Sequence, residues 1–108
     1  MSDMPVAGMV YEVNIDLDAV IETEYRAWLR HHVDEILALP GFIDARVFDV
    51  FDPTPTPGRI AICTQYRLRD AAALQDYFDK HAPRLRGDGM ARFGGRFSAS
   101  RRVLRADV

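Results

Sequence analysis

The chain has 108 residues, 48% of them apolar, which suits one domain with one core over residues 1–108 and leaves no room for a separate catalytic domain. A formal charge of −2 and a sequence pI near 5.9 give no general attraction to nucleic-acid phosphate, so no DNA partner is expected. No apolar run approaches the roughly 18 residues needed to span a bilayer, and Met1-Ser2-Asp3-Met4-Pro5 is neither basic nor followed by a signal-length apolar stretch; a cytoplasmic protein without a membrane partner is predicted.

The small net charge hides an asymmetry. Residues 1–58 hold 11 acids against 3 bases, and residues 59–108 hold 5 acids against 11 bases. Such a division can orient a second copy of the chain, or can simply mark two solvated faces of opposite sign. Cys63 is the single cysteine, so no intrachain disulfide can form, and its place in the apolar run Ile60-Ala61-Ile62-Cys63 fits a small core residue better than a nucleophile.

Met9 to Asp16 alternates, with Met9, Tyr11, Val13 and Ile15 on one face and Glu12, Asn14 and Asp16 on the other, and reads as a strand. Tyr25, Trp28, Leu29, His32, Val33, Ile36 and Leu37 then recur at three and four residues, a long amphipathic helix stopped by Pro40-Gly41. Phe42 to Phe51 reads as a second strand, and the change of face of its apolar residues between Val47 and Phe48 suggests a bulge or burial on both faces. Asp52-Pro53-Thr54-Pro55-Thr56-Pro57-Gly58 is a stiff loop. Arg59 to Leu68 is a third strand, with Ile60, Ile62, Thr64, Tyr66 and Leu68 on one face. A second helix starts after Asp70, carries Leu74, Tyr77, Phe78 and His81 on one stripe, and is predicted to end at Pro83. A loop over residues 84–92 and a last strand from Phe93 to Leu104 complete the chain.

The order is βαββαβ. It fits an α+β, ferredoxin-like domain: a four-stranded antiparallel sheet with two helices on one face. Trp28-Leu29-x-x-His32 and Tyr77-Phe78-x-x-His81 share one spacing, a trace of the doubled unit. The face without helices carries enough apolar residues to predict a homodimer that covers it.

The strand Val10-Tyr11-Glu12-Val13-Asn14-Ile15 and the run Trp28…His32…Leu37…Pro40-Gly41-Phe42 carry a family resemblance, as do Tyr77…His81-Ala82-Pro83…Leu85-Arg86 and Arg92-Phe93-Gly94-Gly95-Arg96-Phe97 with Arg101-Arg102-Val103-Leu104. Over most of its length the chain resembles the dimeric α/β-barrel superfamily, and within it domain-of-unknown-function family 4286. The resemblance implies the fold and self-association but no mechanism, since superfamily members range from cofactor-free monooxygenases to haem enzymes and plain binding proteins.

His32 and His81, each one turn after aromatics, are the candidate catalytic residues: a histidine in an apolar cleft stays neutral near physiological pH and can act as a general base. The same positions also suit packed core histidines with one satisfied hydrogen bond. Tyr11, Tyr25, Trp28 and Tyr77 are the candidate ligand-binding residues of a helix–sheet cleft, with Arg86 or Arg92 to hold an anionic group. The crowd of arginines at Arg84, Arg86, Arg92, Arg96, Arg101 and Arg102 suits salt bridges to the acidic first half or to the other subunit better than a ligand's anionic group. His31 and His32 diverge by about 100° on a helix, and His31 with Glu35 makes an exposed polar pair, so neither a metal site nor a cofactor is predicted.

The function expected is binding of a small, partly apolar or aromatic molecule, with cofactor-free oxidation or isomerisation as its enzymatic form. A non-catalytic interaction module with a filled core is the alternative. RNA binding on the sheet is weaker: Arg92 to Phe97 resembles a basic-glycine-aromatic signature but falls on the last strand, and the third strand lacks stacking aromatics.

Overall fold

The computed structural model describes residues 8–106; the other nine, the Met1–Pro5 segment among them, lie outside the described residues. Four strands, β1 (Met9–Asp18), β2 (Phe42–Asp49), β3 (Arg59–Leu68) and β4 (Phe97–Arg105), form one antiparallel sheet in the order β2-β3-β1-β4. Three helices, α1 (Glu22–Leu37), α2 (Ala71–Lys80) and α3 (Ala82–Phe93), accompany it, and α1 is entered through a short 3-10 turn at Ala19–Ile21. None of the helices is long and apolar enough to cross a membrane.

Register explains which side chains face the helices. Tyr11 pairs with Tyr66, Val13 with Thr64, Ile15 with Ile62 and Leu17 with Ile60, so the alternation read from β1 and β3 places both apolar sets on one face. Tyr11, Tyr66, Leu17, Ile62 and Leu68 are almost wholly buried there, together with Ile36 of α1 and Leu85 of α3. The opposite face carries Glu12, Asn14, Cys63, Gln65, Ser98, Ser100 and Arg102, with Phe48 as its aromatic on the edge strand β2.

Four local expectations are corrected. Pro83 does not end the second helix; it occupies the first turn of α3, where a residue without an N–H leaves no hydrogen bond unmade. The chain breaks instead at His81 (φ −126°, ψ −34°), and residues 84–92, expected as a loop, continue as helix. Phe93 therefore closes α3, Gly94 and Gly95 make the turn, and β4 begins at Phe97. In β2 the irregularity falls between Phe42 and Asp44, leaving Ile43 extra and exposed, and the strand stops at Asp49.

Caps fix the helix ends. The Asp70 carboxylate accepts from the Ala73 N–H at 2.8 Å, opening α2, and the Asp18 carboxylate accepts from the Val20 N–H at 2.9 Å ahead of α1. Gly41 turns the chain from α1 into β2 at φ +89°, and a β-carbon there would meet the Ala73 methyl at 2.4 Å, so only glycine fits. Leu39 and Phe42, flanking this turn, pack against the cluster that holds Tyr11, Tyr66, Leu74, Tyr77 and Leu85.

The charge division is resolved within the chain. Arg59 pairs with Asp16, Arg67 with Asp44, Arg84 with Glu35, Arg96 with Asp18 and Arg102 with Glu12, each joining the basic second half to the acidic first. Glu35 thus engages Arg84, not His31 as expected, and His31 stays exposed on α1.

Candidate functional site

Between the sheet, α1 and α3 lies a cavity of about 50 Å³. β1 supplies Tyr11, β3 Thr64 and Tyr66, β4 Phe97 and Arg101, α1 Tyr25, Trp28 and His32, α2 Tyr77, and α3 Arg86 and Gly89. The three-and-four spacing on α1 brings Tyr25, Trp28 and His32 onto the cavity, and strand parity does the same for Tyr11 and Tyr66. Gly89 lets α3 approach: a β-carbon there would stand 3.2 Å from the Trp28 ring.

The walls are aromatic and the lining is rich in hydroxyls. Tyr11 stacks on Tyr66 (centroids 6.0 Å apart) and leans on Tyr77 (5.6 Å), while Tyr25 contacts Trp28, Phe93 and Phe97. Tyr25, Tyr66 and Tyr77 are at most 3% exposed, and their hydroxyls have no protein hydrogen-bond partner among the described residues. A buried hydroxyl left unpaired costs about 1–3 kcal/mol. Several lining one cavity therefore mark a place where water or a ligand completes the bonds. Burial pushes the Tyr25 and Tyr77 hydroxyls up to about 12, and burial with the neighbouring tyrosines pushes Tyr66 further, so all three remain neutral O–H donors near pH 7.

His32 lies flat on Trp28, ring centroids 4.4 Å apart. Burial holds its imidazole below the ordinary histidine range, with Arg101 and Arg84 adding to the effect and Glu35 and Asp88 opposing it. The ring is therefore neutral near pH 7 and able to accept a proton, and it makes no side-chain hydrogen bond to protein among the described residues. Arg86 donates to the Tyr11 hydroxyl at 3.0 Å and stands 5.7 Å over the Phe78 ring.

Of the residues singled out from sequence, the cavity gathers His32, Tyr11, Tyr25, Trp28, Tyr77 and Arg86. His81 sits at the break between α2 and α3, outside the lining, because the helix it was assigned to ends there. Arg92 is exposed at the last turn of α3, its guanidinium 5.7 Å over the Phe93 ring, and is likewise outside the lining. Tyr66, Thr64, Phe97 and Arg101 were missed as lining residues. Parity on β3 and β4 carried the signal: Tyr66 follows Ile62 and Thr64 on the inward face, and Arg101 follows Phe97 and Ala99. Among the described residues no three His, Cys, Asp or Glu side chains cluster to hold a metal.

Residues 8–106, nearly the whole length, match the family described as Domain of unknown function (DUF4286). The chain belongs to that family. No curated protein matches this DUF4286 chain. Its fold is that of the dimeric α/β barrels: SnoaB, a cofactor-independent oxygenase from Streptomyces nogalater, superposes with a TM-score of 0.68 at 11% identity, over 93% of this chain and 94% of that one. A protein from Methanosarcina mazei Go1 gives 0.69 at 10% identity, over 95% and 96% of the two chains. The de novo designed protein Foldit4 gives 0.65 at 12% identity, over 90% and 96%. That a designed chain matches as well as an oxygenase limits these likenesses to the fold; what the DUF4286 chain does must be argued from its own cavity.

Proposed function

We propose that this DUF4286 protein is a cytoplasmic homodimer whose helix–sheet cavity binds a small, partly aromatic molecule, and that His32 accepts a proton from it. One observation carries the reading: three buried tyrosine hydroxyls without protein partners share a cavity with a neutral histidine. Hydroxyl donors lining a largely apolar cavity stabilise negative charge that develops on a bound oxygen, and a neutral imidazole in the same lining is suited to remove the proton that generates it. Tyr25 and Tyr77 orient the ligand and Trp28 supplies a flat wall. An isomerisation, or an oxidation in which the deprotonated ligand gives its electrons to dioxygen, each without a cofactor, is the reaction class these groups fit. The likeness to SnoaB, described as a cofactor-independent oxygenase, is consistent with it.

A second reading has an observation in its favour. A cavity of about 50 Å³ holds only a few waters as it stands, whereas benzene has been accommodated in cavities of about 150 Å³; this favours a nearly filled core in a non-catalytic interaction module. Native mass spectrometry of freshly purified protein separates the two. A dimer carrying a discrete small-molecule adduct supports ligand binding, whereas a bare dimer that gains no adduct from a library of aromatic carbonyl compounds supports the interaction module.

A further inference from the structure

The cavity lining is electrostatically one-sided. Arg86 and Arg101 both belong to it, both are exposed and so stand at its rim, and no Asp or Glu does among the described residues. Of the other eleven arginines, seven pair with a carboxylate: Arg26, Arg59, Arg67, Arg69, Arg84, Arg96 and Arg102. Arg86 and Arg101 pair with none among the described residues. Glu35 and Asp88, the acids nearest His32, are both turned to Arg84, at 2.8 and 3.7 Å. Arg101 is close enough to bias the Tyr25 and Tyr77 hydroxyls and the His32 imidazole.

Building on the ligand-binding reading of this cavity, we infer that its ligand is an aromatic carboxylate, the carboxylate held at the rim by Arg86 and Arg101 and the ring directed inward along Tyr25, Trp28 and Phe97. Planar guanidinium groups match a carboxylate with paired N–H donors, and a partly buried rim strengthens such charge-assisted bonds over those in open water. The lining beyond, Val13, Ile15, Leu29 and Phe97, is apolar and carries no charge, and the cavity has to widen from its about 50 Å³ to admit the ring. Arg92, the other arginine considered from sequence, lies outside this lining and takes no part.

Trp28 is the single tryptophan of the chain and lines the cavity, so its emission reports occupancy without a label. Benzoate and its neutral isostere benzamide are the probes, titrated against the wild-type protein and the Arg101→Gln and Arg101→Lys variants. Arg101 forms no hydrogen bond or ion pair within the described residues, so both variants should melt with the wild type. The inference expects benzoate to shift Trp28 emission saturably and at least tenfold more tightly than benzamide. It expects Arg101→Gln to weaken benzoate about tenfold while leaving benzamide unchanged, and Arg101→Lys to retain part of the preference. Equal binding of the two probes, or equal weakening of both by Arg101→Gln, overturns the carboxylate assignment and leaves the cavity as a ligand site. Silence of Trp28 toward both probes overturns the ligand-binding reading and this inference together.

Discussion

Glu12 shows how a single side chain couples the sheet to pH. It is 2% exposed on the face away from the helices, where it accepts from Arg102, Gln65 and Asn14. The Arg102 guanidinium above all, then Asn14 and Gln65, outweigh burial and hold its carboxyl down at about 2. A depressed folded-state pKa stabilises above the unfolded value, near 4.5, and that contribution disappears as pH falls from there toward 2. With Arg102 largely exposed and screened, the loss should be on the order of 1–2 kcal/mol. Urea melts at pH 5 and pH 2.5 should show it, and Glu12→Gln should flatten the difference. Tyr66 makes the opposite case. Its unpartnered hydroxyl contributes nothing to the protein's own bonding, so Tyr66→Phe should leave stability within about 0.5 kcal/mol of wild type or raise it, while weakening any ligand that uses the hydroxyl. A loss above 2 kcal/mol in chemical denaturation would instead place an ordered water on that oxygen.

At the scale of elements, α3 decides the site. It supplies Leu85, Arg86 and Gly89 to the cavity wall, yet its own sequence is a poor helix, with Gly87 and Gly89 both interior. The two glycines differ. A β-carbon at Gly87 meets nothing within 4 Å, so Gly87→Ala should stabilise by about 0.5–1 kcal/mol, read as a rise in melting temperature. One at Gly89 presses on Trp28 and takes space from the cavity. The residues 84–92 were unreadable as helix because two glycines and Pro83 weaken every local signal; Pro83 stops a helix that reaches it and starts one that begins there, and sequence alone does not say which. α1, with seven apolar or aromatic positions in register and no internal glycine, was legible throughout.

For the whole molecule, the outstanding surface is the sheet face that no helix covers. Phe48 stands on it 41% exposed on the edge strand β2, and Val10 of β1 and Leu104 of β4 pair half-buried farther across the same face. Under the proposed homodimer this face is the interface, and Phe48→Glu should convert the assembly to a species of one chain's 12.3 kDa in analytical ultracentrifugation without loss of circular-dichroism signal. An unchanged mass would move the interface elsewhere. The charge division gives no independent support for a dimer, because five intrachain bridges already join the two halves.

The sequence by itself determined the strand order, the inward faces of β1 and β3 and the cavity-facing stripe of α1, because a period of two or of three to four is written in the side chains themselves. In the folded chain six of the eight residues singled out from sequence line one cavity, and His81 and Arg92 do not. Only the tertiary structure decided between His32 and His81 and between Arg86 and Arg92. Both choices depend on where the chain breaks near Pro83, and that break is set by the docking of Ala82, Leu85 and Phe93 into the core, which no local pattern records. Arg101 entered for the same reason: Arg86 on α3 and His32 on α1, which line the cavity with it, belong to other elements of the chain, and packing alone brings them together.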